Sequence, residues 1–182
     1  MYLRWPDVRL VFIRTDGVLA RITRWVTRSP ANHMYLEIPV WGRRMVCEAS
    51  VDGEVRIVPN VPKGSRLIVS YRCHFDTTPG IYALMELLGR PYDYWGGVGI
   101  AIVRLAWRWF RLKLKHWRWS TSAIKCSELA VMFLQASQIR TGGLDMELSA
   151  PADVLAWCHG RPGWFERVQG APPNLASWES KQ

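Results

Sequence analysis

A chain of 182 residues is long enough to bury one substantial core and too short for two ordinary domains. With 49% hydrophobic and 21% charged residues, and Gly and Pro scattered along the chain, the composition excludes a disordered or fibrous protein. Against 15 Asp and Glu stand 24 Lys and Arg, a net charge of +9 that favours anionic partners without choosing among nucleic acid, phospholipid headgroups and acidic polymers.

In chain order, Val8–Ile13 (VRLVFI) reads as a short strand rich in β-branched and aromatic residues. Asp16 opens a helical pattern in which Leu19, Ile22, Trp25 and Val26 follow the spacing of a buried face, and Ser29-Pro30 closes it. Two strands, Asn32–Val40 and Arg43–Val51, are joined at Trp41-Gly42 as a hairpin. Beyond the Asp52-Gly53 turn come strands at Val55–Val58 and Arg66–Cys73. Thr78–Leu88 is helical and stops at Gly89, with Pro91 just beyond. Gly96-Gly97-Val98-Gly99 reads as a bend between helices, since it lacks the preceding strand of a phosphate loop. From about Gly99 to Trp119 the chain is helical, aromatic and basic. Ser120–Ser122 can cap a helix over about Lys125–Ile139, and Pro151 precedes a last one at Ala152–Trp157. Strand, helix, sheet, then helices make an α+β fold with a small antiparallel sheet packed against helices. One domain is expected over residues 1–169, followed by a loose tail at 170–182.

Neither a secretory apolar core near the start nor a run of ~20 apolar residues is present, which points to a cytoplasmic chain with free thiols at Cys47, Cys73, Cys126 and Cys158. Cys73-His74 and Cys158-His159 are adjacent pairs whose side chains point apart, so no metal site is expected.

Cys126 carries the strongest chemical signal. It opens a helix, where the positive end of the backbone dipole favours thiolate, and Lys125 adds a neighbouring cation. Nearby N–H groups could brace an oxyanion. Read as a lone residue, such a thiol is usually a small buried hydrophobe. The hairpin supplies possible companions. If Val40 pairs with Arg43, His33 and Glu48 share one face as diagonal neighbours about 7–8 Å apart at Cβ, and a register shifted by two sets them opposite. Glu37 shares that face but lies about 13 Å along the same strand from His33, too far to orient its ring.

The segments NHMYLEI, VCEAS, PYDYWG and KCSELAVMFL together resemble the circularly permuted NlpC-type papain-like cysteine hydrolases, in particular the YiiX-like branch. There a His on one strand is followed by a Glu on the next, and the Cys of a CSEL segment comes last. SAPADVLAW near the end fits too, whereas the His segment departs from the Ser-His-Val-Gly type found more often in the family. The resemblance covers most of Val8–Val168. It implies a permuted papain-like fold with a nucleophilic Cys at a helix N-terminus, and catalytic Cys126, His33 and Glu48, with Tyr92 in or near the site. It also implies amide or ester hydrolysis through an acyl-enzyme on a peptide, peptidoglycan-like or acyl-lipid substrate, with no cofactor. The stretch at about 95–120 then reads as an insertion. Its run RLAWRWFRLKLKHWRW, with Arg104, Arg108, Arg111, Lys113, Lys115 and Arg118, reads first as a helix with one buried aromatic face and a solvated basic face; as a binding segment it suits peripheral attachment to an anionic membrane better than nucleic acid, for which no motif is present. The alternative is a catalytically silent module that uses this segment to hold a membrane or anionic partner.

Overall fold

The computed structural model describes residues 7–50, 53–112 and 122–170. Six strands are arranged on one antiparallel sheet: β1 (Arg9–Arg14), β2 (His33–Val40), β3 (Arg43–Ala49), β4 (Val55–Val58), β5 (Arg66–Cys73) and β6 (Phe165–Gly170). Their order is β4-β3-β2-β1-β5-β6, so the opening strand lies inside the sheet, between β2 and β5. Five helices accompany them among the described residues: α1 (Val18–Thr27), α2 (Thr78–Met85), α3 (Tyr94–Phe110), α4 (Cys126–Ala136) and α5 (Pro151–His159).

Alternation along the strands sends Leu10 and Phe12 of β1 and Met34, Leu36 and Ile38 of β2 to one side, into the main core. There α4 is the central helix, touching α2, α5, β2 and β3. Eight of its eleven residues are buried, among them Leu129, Phe133 and Leu134, so its sequence is apolar nearly all round. The opposite side of the sheet carries a smaller cluster of Val11, Ile13, Tyr35 and Val46.

The β2–β3 hairpin has the expected register, from Val40 opposite Arg43 to Leu36 opposite Cys47. Trp41 and Gly42 both take positive φ, 47° and 73°, the backbone that a tight two-residue hairpin turn needs.

Four expectations are corrected. Although α1 forms where its periodicity places it, most of its apolar stripe is not buried: Val26 is, while Leu19, Ile22 and Trp25 are exposed. The glycines at 96, 97 and 99 are no bend between helices but part of α3, which begins at Tyr94. Asp93 explains why, since its carboxylate accepts the Gly96 N–H at 2.7 Å and caps the helix. A Cβ on Gly96 would stand only 1.9 Å from Asp93 Oδ2, so this close approach requires glycine. Lys125, and not a residue of 120–122, occupies the position before α4, with no side-chain cap. Finally, β6 answers to no strand expected from the sequence. Residues 113–121 and 171–182, with the far part of the basic run and the tail, lie outside the described residues.

Candidate active site

The site forms where the first turn of α4 meets the start of β2. Asn32, just before that strand, is tied down on several sides. Its N–H donates to the Ile13 carbonyl at 3.1 Å, and its Oδ1 accepts from the Thr15 N–H and from Arg24 Nη1, both at 3.0 Å. His33 follows with little freedom to move. The start of α4 is anchored too: Lys125 Nζ donates to the Glu147 carbonyl at 2.5 Å, and Ser127 Oγ to the Ser149 carbonyl at 2.7 Å.

His33 Nε2 lies 3.1 Å from Glu48 Oε2. The diagonal relation across the hairpin therefore brings the two side chains into contact. The second oxygen of Glu48 accepts from Arg56 Nη2 at 2.8 Å and Nε at 3.1 Å, across the Glu48–Arg56 pair of β3 and β4. Glu48 itself is almost wholly buried. Burial alone would raise its pKa, but the hydrogen bonds from His33 and Arg56 and their charges bring it below the usual carboxylate value. Glu37 goes elsewhere, 4.0 Å from Arg9 and 3.6 Å from Arg44.

Cys126 joins this pair from the far end of the chain. Desolvation pushes its thiol up, yet the His33 charge and a hydrogen bond to the His33 ring prevail, helped by the N–H groups of Met34 and Ser127, and the pKa is lowered. Conversely, desolvation disfavours His33 as a cation, but Cys126 and then Glu48 more than offset it and raise its pKa to about 9. Each of the two groups thus favours the charged form of the other, and Glu48 adds to the effect on His33. The other three thiols are shifted the opposite way by burial, Cys47 to about 12 and Cys73 and Cys158 upward as well. Lys125, expected to polarise the thiol, is turned to the Glu147 carbonyl.

Tyr92 is brought to the same place. Its backbone bridges Ile124, two residues before Cys126, and its N–H donates to the Gly53 carbonyl at 2.8 Å. Its phenol hydrogen-bonds Cys126, and desolvation together with the nearby thiolate charge raises its pKa well above the ordinary value. It therefore stays a proton donor at neutral pH.

A cleft partly open to solvent leads to Cys126 and Tyr92. Thr23, Val26 and Thr27 of α1 form one wall, and Gly97, Ile100 and Ala101 of α3 another. The start of α5 closes it at Ala150 and Pro151. Sequence reasoning named Cys126, His33, Glu48 and Tyr92 but missed Arg56 and Asn32. Arg56 was accessible in principle, since it alternates onto the face of Glu48 once the β3–β4 register is known. Asn32 carried only the weak signal of a polar residue before a strand.

Of the basic segment, Arg104 is turned to an ion pair with Asp153 at the start of α5, and Arg111 stacks 5.7 Å over the Trp107 ring. The side chain of Arg108, and Lys113, Lys115 and Arg118 entirely, lie outside the described residues.

No protein-family model and no curated protein sequence matches the chain. Among solved structures it is similar to the metalloprotein yiiX from Escherichia coli O157:H7, with a TM-score of 0.54 and 17% identity. The match covers 95% of this chain and all of that one, so the two share an α+β fold.

Proposed function

We propose that this chain is a cysteine-dependent hydrolase of permuted papain-like design that cleaves an amide or ester bond through an acyl-enzyme on Cys126. The observation that carries this reading is the convergence of distant segments: His33 Nε2 lies 3.1 Å from Glu48 Oε2, Arg56 holds the other carboxylate oxygen, and Cys126, the first residue of α4, lies against the His33 ring, which lowers its thiol pKa while burial raises those of the other three cysteines. Thiolate, cation and orienting acid are the three parts that nucleophilic catalysis needs.

In the reaction, the Cys126 thiolate adds to the substrate carbonyl carbon, forming an S–C bond while the π electrons move to oxygen. The Tyr92 hydroxyl, beside the sulfur and kept protonated, donates to that oxyanion in this reading. Collapse of the adduct breaks the C–O or C–N bond, and the leaving alcohol or amine takes its proton from the His33 imidazolium. Neutral His33 then draws a proton from water as the oxygen attacks the thioester. The acid departs, and thiolate and imidazolium are restored. Glu48, held on its other side by Arg56, fixes the ring and stabilises its charged form throughout.

The description of yiiX as a metalloprotein does not extend readily to this chain. Among the described residues no group of three or more His, Cys, Asp or Glu is arranged to hold a metal. Both oxygens of Glu48 are engaged, His74 lies 3.2 Å from Glu166, and His159 Nδ1 is 3.0 Å from the Tyr71 hydroxyl.

Alkylation by iodoacetamide at pH 7, mapped by mass spectrometry, tests the proposal. Cys126 should react at least about tenfold faster than Cys47, Cys73 or Cys158, and His33→Ala should remove that advantage. Equal labelling of the four thiols would leave a silent binding module instead.

A further inference from the structure

The stripe of α1 that fails to enter the core has a counterpart on α3. Val18, Ile22 and Trp25 run along the outer side of α1, and Trp95, Ile102 and Trp109 recur every seventh residue along α3, two turns apart each time. All six side chains are exposed. The two stripes are continuous, because the Trp25 and Trp109 rings meet edge to face at 5.8 Å. Isolated apolar side chains at a surface need no explanation, but a joined band from two helices marks a binding surface.

Its surroundings select the partner. Asp16, at the start of α1, is the one carboxylate within either helix or its immediate lead-in besides the buried cap Asp93, and residues 94–127 contain no acidic residue at all. Arg14, Arg21, Arg28 and Arg111 are exposed around the band. Tryptophan beside arginine over an apolar face is the chemistry of a helix lying in the headgroup layer of an anionic bilayer, with rings at the interface and guanidinium groups on phosphate. Among the described residues no helix is long and apolar enough to cross a membrane, so the band would lie on one. The cleft that reaches Cys126 is walled by the inner sides of these same two helices. Val26, Ile100, Ala101 and Pro151 give it apolar walls for hydrocarbon, and Thr23, Thr27 and Asn32 add polar groups beside them.

We infer that the outer face of α1 and α3 seats on an anionic lipid bilayer, and that the cleft between these helices takes an acyl ester or amide of that bilayer as substrate. The second half rests on the hydrolase reading above; the first does not. The chemistry is the one already balanced: thiolate displaces the lipid alcohol or amine, and water releases the fatty acid.

The full chain would be floated with vesicles of phosphatidylcholine containing 30% phosphatidylglycerol, and with pure phosphatidylcholine vesicles. Capture by the anionic vesicles, at least about tenfold weaker with neutral ones and reduced by added salt, is the expected result. The double variant Ile22→Glu, Ile102→Glu should lose that capture by a similar factor. Quenching of wild-type tryptophan fluorescence by brominated anionic lipid tests the same contact should the variant fail to fold. No capture of the wild type, capture unchanged in a folded variant, or a dimer by light scattering that the variant abolishes would each overturn the docking face. Fatty acid release from the vesicles, lost in Cys126→Ala, supports the substrate. Absence of release while Cys126 still alkylates selectively and turns over a short soluble thioester overturns the lipid substrate and leaves the hydrolase standing. Vesicle capture with four equally reactive thiols does the reverse, sinking the hydrolase and sparing the docking face.

Discussion

Glu48 sits almost wholly out of water with every acceptor it owns committed, one oxygen to His33 and the other to Arg56. A buried carboxylate survives as an anion only with such partners, and in return it holds a proton on the imidazole. The consequence for pH follows from the direction of each shift. His33 is raised from an ordinary 6.5 to about 9, so its contribution to stability is fully present below pH 6.5 and is lost as pH climbs through about 9. The lowered Cys126 thiol sets the acidic side of the working range, and His33 sets the basic side. Turnover of a soluble thioester should therefore trace a bell whose basic limb lies near pH 9. In Glu48→Gln, which keeps the shape but removes the charge, that limb should move down by about a unit or more, and the rate at pH 7 should fall at least about tenfold. A basic limb left in place would deny Glu48 its role. Much of this was legible beforehand, because counting back from the Trp41-Gly42 turn puts His33 and Glu48 on one face. Arg56 was not, since its place depends on the register of a different hairpin.

The elements owe their ends to local chemistry and their surroundings to each other. Helix α3 starts at Tyr94 because Asp93 caps it, and it can do so only because Gly96 has no side chain to strike the capping carboxylate. Two neighbouring substitutions separate this cause from ordinary helix propensity. Gly96→Ala should destabilise by about 2–4 kcal/mol, from the lost cap and the overlap together. Gly97→Ala meets no atom within 4 Å and should be neutral or stabilising by up to about 1 kcal/mol. Chemical denaturation of both decides the matter, and equal losses would refute the capping account. The α1 stripe teaches the complementary lesson. A period of 3.6 residues marks an apolar face, but it carries no word about what lies opposite, and here Leu19, Ile22 and Trp25 point away from the core.

The main core is organised around α4, which packs on β2 and β3 and delivers the thiol with its first residue. Its ring Phe133, fully buried and beside Phe75, joins the sheet, α2 and the site helix in a single core. Phe133→Ala should cost about 3–5 kcal/mol in thermal or denaturant unfolding and lower the selectivity of Cys126 alkylation, since a cavity there loosens the helix that carries the sulfur. A loss of under about 1 kcal/mol would mean that α4 is not the keystone described. Periodicity, turn residues and caps sufficed for the α+β class, for β4 and β5 with their observed ends and for the hairpin register, because each depends on contacts a few residues apart. The place of β1 between β2 and β5, the docking of β6 (FERVQG, a polar edge strand with little apolar signal) and the meeting of Cys126 with His33 needed three dimensions. Those contacts close loops of tens to about a hundred residues, and many chain paths satisfy the same local preferences; only burial of a common core selects among them.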